Sequence, residues 1–243
     1  VSVVGSDEAA VRVDLVELLV KARLSREVVQ ATGKWVERQW TAAGFSWVRS
    51  RKSWERHRGE RREQVELSSS YRNRAGKRTK VWVAGLAVHD DQVKEWRERH
   101  PELSAKRPEG LAGLACTTSF LDLTSRYWVE LSQPESRLSR VGAWAEHVAE
   151  IAFPWFASTI DPARLAETVP DRLVKGRAQH LVELAVSRGE LDQARLLIER
   201  ALAVGPLVRG SFEEGRELAR RGGRADWQAP HALGWSSLVL DLM

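Results

Sequence analysis

His89, Asp90 and Asp91 stand in a row, and an imidazole with two carboxylates is a ligand set that a divalent cation accepts. Further ligands would have to come from elsewhere. The same run reads as a strand end followed by a helix N-cap, with Asp91 favourable at the helix dipole, and we read it as a cap. Glu146, His147 and Glu150 fall within one helical turn, where a carboxylate beside an imidazole tunes it for acid–base work. Such triplets are also the ordinary solvated face of a helix. Cys116 lies in Leu114-Ala115-Cys116-Thr117-Thr118, with no neighbouring cation in the sequence to lower its pKa, so it reads as a buried small residue rather than a nucleophile. The chain has no Gly-rich phosphate loop ending in Gly-Lys-Ser/Thr, no G-x-G-x-x-G after a strand, no G-x-S-x-G elbow and no H-E-x-x-H. The E-x-K of many metal-dependent nucleases is missing as well. Nothing here calls for a metal or a cofactor.

The strongest functional signal is charge. The 243 residues carry a net charge of +5, with one cysteine. Residues 49–80 hold twelve basic and four acidic groups, while residues 1–48 and 161–243 are balanced and 81–160 are slightly acidic. The whole basic excess therefore sits in one window. Its cations are Arg49, Arg51, Lys52, Arg56, Arg58, Arg61, Arg62, Arg72, Arg74, Lys77, Arg78 and Lys80, interleaved with Trp54 and Tyr71. Such density steers acidic partners and weakens with salt. Trp54 among these cations offers a ring that could stack on a base, or one packed beneath an Arg stem. Thirty Arg against eight Lys, with three Ile and one Asn, is the bias of a GC-rich genome, and it inflates the arginine count.

The elements that must position this window follow from periodicity. Asp7 to about Arg23 places Val11, Leu15, Leu18 and Leu19 on one helical face. Ser25 is the expected N-cap of a second helix carrying Val28, Thr32, Trp35, Val36 and Trp40, closed by Gly44. From Phe45 the period shortens to two. Strands are expected over Phe45–Arg56, Gln64–Tyr71 and Lys80–Val88, the last apolar on both faces and so expected to be covered on both sides. Turns fall at His57–Arg61 and Asn73–Lys77, placing Arg56, Arg58, Arg61 and Arg62 at one tip and Arg72, Arg74, Lys77 and Arg78 at the other. Two more strands are expected over Leu111–Leu123 and Tyr127–Ser132. Helices follow over Ser136–Ala152, stopped by Pro154, from Pro162 to Lys175, in a hairpin turning at Gly189, and near Phe212–Arg221, before an apolar tail. The hairpin resembles one tetratricopeptide unit in Arg188-Gly189-Glu190-Leu191-Asp192-Gln193-Ala194-Arg195, but no second copy follows, so it reads as an ordinary helix pair. Of the eleven tryptophans, Trp35, Trp40, Trp82, Trp144 and Trp155 fall at core positions.

The expected fold class is α+β: N-terminal helices, a central antiparallel sheet of about five strands and a C-terminal helical bundle. Residues 1–160 form the α+β part and 161–243 a helical extension packed on it. No apolar run is long enough to span a membrane. Val1 to Glu8 lacks the basic-then-apolar pattern of a secretory leader, so a cytoplasmic location is expected. Val1 itself reads either as a GTG start codon or as the edge of a fragment.

Over residues 25–175 the chain resembles the uncharacterised bacterial family known as domain of unknown function 4304. The resemblance is carried by Gly44-Phe45 closing a helix, by Trp54-Glu55-Arg56, by Gln64-Val65-Glu66-Leu67-Ser68-Ser69-Ser70-Tyr71, by the apolar strand around Trp82, and by Pro154-Trp155-Phe156 followed by Leu165. It implies a small intracellular domain of the kind associated with immunity or interaction roles, without a reaction. The expected function is a non-enzymatic interaction protein binding an acidic protein partner through basic hairpins. The alternatives are a nucleic-acid-binding module using the same hairpins with Trp54 and Tyr71, or an enzyme whose site leaves no motif.

Overall fold

A computed structural model describes residues 14–74, 78–103, 113–203, 206–226 and 229–242. In chain order the elements are helix α1 (residues 14–21), α2 (Ser25–Trp40), strands β1 (Ser46–Val48), β2 (Ser53–Arg58), β3 (Arg61–Ser69) and β4 (Lys80–Asp90), then α3 (Asp91–Arg99), β5 (Leu114–Ser119) and β6 (Trp128–Glu130). Helices α4 (Arg137–Ala157), α5 (Leu165–Thr168), α6 (Asp171–Ser187), α7 (Leu191–Ala203), α8 (Pro206–Arg220) and α9 (Ala232–Val239) complete the α+β fold. Among the described residues the strands form one mostly antiparallel sheet in the order β1-β2-β3-β4-β5, with β6 also beside β4. Two compact units divide the chain, and they interleave along it. Unit 1 contains residues up to 58, 63–86 and 119–153; unit 2 contains residues 59–62, 87–118 and those from 154 on.

Unit 1 is organised by aromatic rings. Trp54 in β2 is fully buried, with Trp40, Trp47 and Trp144 at centroid distances of 5.0, 5.1 and 6.3 Å. Phe45 stacks on Phe153 at 5.2 Å. A Cβ on Gly33 would overlap the Trp47 ring, so the helix can lie against β1 only because that side chain is missing. Arg137 is buried and donates to the carbonyls of Leu131, Leu19 and Ala22 at 2.7, 3.0 and 2.6 Å. It thereby satisfies carbonyls at the end of α1 that the helix itself leaves open, and its burial lowers its pKa from the ordinary arginine value.

Several sequence expectations change here. The strand expected over Phe45–Arg56 is a hairpin of two, registered Ser46↔Glu55, Trp47↔Trp54 and Val48↔Ser53. Its turn reverses through Lys52, which takes a left-handed φ of 51° without being glycine. Ser25 is the first helical residue rather than the cap. At N3, Glu27 reaches back to accept from the Arg23 and Leu24 N–H groups, both at 3.1 Å, which holds its carboxylate below the usual range. Gly44 does close the helix, with φ 84°. In β4 the alternation changes phase at Ala84-Gly85: Val81, Val83, Leu86 and Val88 are fully buried, while Trp82 and Ala87 are half-buried. Both parities are apolar because each half of the strand buries a different one, not because both faces are fully covered.

In unit 2, α6 and α7 form the expected hairpin, turning at Gly189 with φ 80°. Pro154 does not stop α4, which runs to Ala157. The proline is exposed in the last turn, and its own carbonyl still accepts from the Ser158 N–H at 2.9 Å. The apolar tail folds as α9, which meets α8 so closely that a Cβ on Gly215 would strike the backbone of His231 and one on Gly234 the backbone of Phe212. Trp96, Leu103, Ala225, Ala232 and Trp235 form a buried cluster flanked by Val186, Leu218 and Leu240.

Candidate functional site

The basic window separates into cations that hold the fold and cations that face outward. Arg56 belongs to the first group. It is buried; its Nε donates to Glu63 Oε2 at 2.6 Å, its Nη1 to the Ala43 carbonyl at 2.9 Å, and its guanidinium lies 4.5 Å from the Phe45 ring centroid. Arg51 makes two parallel bonds to buried Glu55, both at 2.6 Å, which raise its pKa further. In unit 2, Arg61 donates to the carbonyls of Thr159 and Phe156 at 2.5 and 3.1 Å and to Thr159 Oγ1 at 2.6 Å. Arg62 is half-buried beside it in β3, and Arg58 is exposed at the end of β2.

Trp54 leaves the candidate binding surface altogether. It is fully buried and its Nε1 donates to the Gly33 carbonyl at 2.8 Å, so no base can stack on it. Arg56 and Arg61 leave with it, because their donors are engaged by groups of their own unit, while Arg51 spends Nε and Nη2 on Glu55 with about half of its side chain still exposed. Charge density in sequence does not distinguish an arginine aimed outward from one aimed at a carbonyl dozens of residues away.

The outward cations gather at one end of the sheet in unit 1. The β1–β2 turn carries Arg49 and Lys52, and the β3–β4 loop carries Tyr71, Arg72, Arg74 and Arg78. Because β2 and β3 form a tight hairpin at their far end, the start of β2 lies beside the end of β3. The Leu67 N–H donates to the Lys52 carbonyl at 2.8 Å, and the Ser70 N–H to the Lys80 carbonyl at 3.2 Å. Asn73 clamps the loop, exchanging two 2.9 Å bonds with the Lys80 backbone, while Arg74 and Arg78 pair at 2.8 and 3.0 Å through theirs. Lys77 lies outside the described residues.

Tyr71 is 87% exposed. Arg72 lies against one side of it, with the guanidinium 5.3 Å from the ring centroid and Nε donating to the phenol oxygen at 2.8 Å. Lys80 is occupied differently: its ammonium sits 3.8 Å from the Trp128 centroid and 4.0 Å from Glu130. Arg49, Lys52, Arg72, Arg74 and Arg78 form no ion pair with any described residue. No family model, curated protein or solved structure matches the chain. The candidate site therefore rests on its geometry.

Of the groups considered for catalysis, Asp90 and His147 have partners of their own. Asp90 caps α3, accepting from the N–H groups of Gln92 and Val93 at 3.0 and 3.2 Å, and its other oxygen pairs with Arg188 at 2.5 Å. His147 contacts Thr124 Oγ1 at 3.2 Å on a half-buried helix face. Among the described residues no cluster of three His, Cys, Asp or Glu is placed to hold a metal ion, and no helix is long and apolar enough to cross a membrane.

Cys116 is fully buried, which pushes its thiol up to about 12 from an ordinary 9.0 even though Arg61 and Arg177 pull the other way. The thiol should resist an aromatic disulfide reagent in the native protein and react fully in concentrated guanidinium. Fast native labelling would contradict the burial. Because the folded value lies above the unfolded one, the stability tied to the neutral thiol is complete below pH 9.0 and is lost as the pH climbs toward 12.

Proposed function

We propose that the protein is a non-enzymatic cytoplasmic interaction protein that binds an acidic protein surface. The contacting cations are Arg49, Lys52, Arg72, Arg74 and Arg78 at the loop end of the sheet in unit 1. The observation that carries this reading is the set of five exposed cations, held together by strand register around exposed Tyr71 and lacking ion pairs among the described residues. Tyrosine and arginine are the residue types that dominate binding energy at protein interfaces. A single-stranded nucleic-acid site needs open aromatic faces on which successive bases stack. Trp54 is buried, which leaves Tyr71 as the one exposed Trp, Tyr or Phe ring of the basic window and no second platform for a successive base, so the protein partner is the better fit. The resemblance to domain of unknown function 4304 supports the same role, adaptor- or immunity-like.

Polyglutamate and random DNA, each immobilised, separate the readings. Polyglutamate should retain the wild-type chain, more weakly as salt is raised, and R72E/R74E/R78E should weaken retention at least tenfold. The melting temperature should not move, since these side chains support nothing beyond their own loop. R58E at the opposite end of β2 should bind like wild type. Tighter retention on DNA, with a log–log salt slope of about −4 to −5 for five phosphates, would transfer the site to nucleic acid. Retention on neither overturns both readings.

A further inference from the structure

Unit 2 holds a cavity of about 480 Å³ beside a break in α6, where Arg177 departs from helical geometry at φ −144° and ψ 22°. That volume is within the range of about 300–1,000 Å³ found for small-molecule sites. Its lining has two chemistries. Leu207, Val208 and Leu233 supply an apolar part, and Leu207 is 89% exposed, a large aliphatic surface. Lys175, Arg177 and Gln179 supply the polar part. Neither Lys175 nor Arg177 forms an ion pair with a described residue; Arg177 uses its Nε on the Thr117 carbonyl at 3.2 Å.

Gln179 narrows the ligand class. It is only 8% exposed, and its Nε2 donates to Glu183 Oε1 at 3.0 Å and to Ser236 Oγ at 3.3 Å. Those two bonds fix which end of the amide points inward. Its oxygen accepts no hydrogen bond from any described residue, although the side chain lines the cavity. An amide oxygen held open at the cavity wall is placed to accept from a ligand's donor. The cations call for an anion, and Leu207 calls for an apolar body.

We infer that this cavity is a binding site for a small organic carboxylate that also carries an apolar chain and an N–H donor, the chemistry of an N-acyl amino acid. The carboxylate pairs with Lys175 and Arg177, the amide N–H donates to Gln179 Oε1, and the acyl chain covers Leu207 and Val208. This site lies wholly in unit 2 and does not depend on the cationic surface of unit 1.

Calorimetric titration with N-octanoylglycine is the test. Saturable binding is expected, with its methyl ester weaker by about tenfold or more, the loss that accompanies one charge-assisted contact. N-octanoylsarcosine, which has no N–H, should bind several-fold more weakly. K175A/R177A should reproduce the tenfold loss with the acid and leave the ester unaffected. L207E should weaken both. All three substituted side chains are exposed, so the variants keep their fold, which far-ultraviolet circular dichroism will verify. R72E/R74E/R78E should bind like wild type, so failure of the polyglutamate experiment leaves this result intact. No saturable heat overturns the proposal. So does equal affinity for acid and ester, equal affinity for the glycine and sarcosine compounds, or unchanged binding by K175A/R177A.

Discussion

Replacing Glu183 with leucine should destabilise the protein by about 3–5 kcal/mol, the cost of leaving one member of a buried ion pair without its counter-charge. Arg97 is 2% exposed and Glu183 not at all. Both Nε and Nη2 of Arg97 donate to Glu183 Oε2, the former at 2.8 Å, while Nη1 donates to the Leu114 carbonyl at 2.8 Å. Gln179 donates to the second carboxylate oxygen at 3.0 Å. The network thus joins α3, β5 and α6 within unit 2. Removing the carboxylate strands a cation in an apolar interior and removes the acceptor that Gln179 uses. Replacing both partners, R97M with E183L, should recover most of the loss, because a buried ion pair gains little over packed hydrocarbon of similar volume. Urea unfolding of the two single variants and the double gives the coupling directly. A single-variant loss below about 1 kcal/mol, within the range of exposed pairs, would contradict the buried geometry.

Trp54→Ala should cost a similar amount, about 3–5 kcal/mol, for a different reason. The ring fills the centre of the aromatic cluster in unit 1, edge-on to Trp40 and Trp144, and its removal opens a void the neighbouring rings cannot close. Trp54→Phe refills part of the void but removes the indole N–H that donates to the Gly33 carbonyl at 2.8 Å. It should fall between wild type and the alanine variant. Chemical denaturation monitored by tryptophan fluorescence measures both. The two variants also separate structure from binding: W54F should retain polyglutamate as tightly as wild type wherever it is folded. A selective loss of retention in folded W54F would return Trp54 to the binding surface.

What could be read from the chain without its structure was local. Asp90 as a cap, Gly44 and Gly189 as left-handed terminators, and the alternation of Val65 and Leu67 in β3 each depend on residues within a few positions of one another. The misreadings share the opposite property. The turn at residues 49–52 contains no glycine, and its reversal rests on a left-handed lysine that no propensity favours. Pro154 breaks helices as a rule, but an exposed proline in a last turn removes little. The division of the basic window was the least legible feature. Arg61 reaches Thr159, and Arg137 reaches Leu19, across spans that only the folded chain closes. Arginine at those positions looks no different in sequence from Arg72 or Arg74, which reach nothing beyond their own loop. The cavity in unit 2 left no trace in the sequence, because it depends on where a helix departs from regularity.

The near-touching backbones of α8 and α9 bear on how this protein's kin can be found. Side chains on most surfaces drift without penalty, and alignments fade with them. Gly215 and Gly234 cannot drift in the same way, since any larger residue would push two main chains apart. A distant cousin that keeps the crossing should therefore keep a glycine in each helix at matching places, even where every neighbouring letter has changed. That pair offers a narrower fingerprint for ancestry than the abundant arginines, whose number reflects the genome as much as the fold.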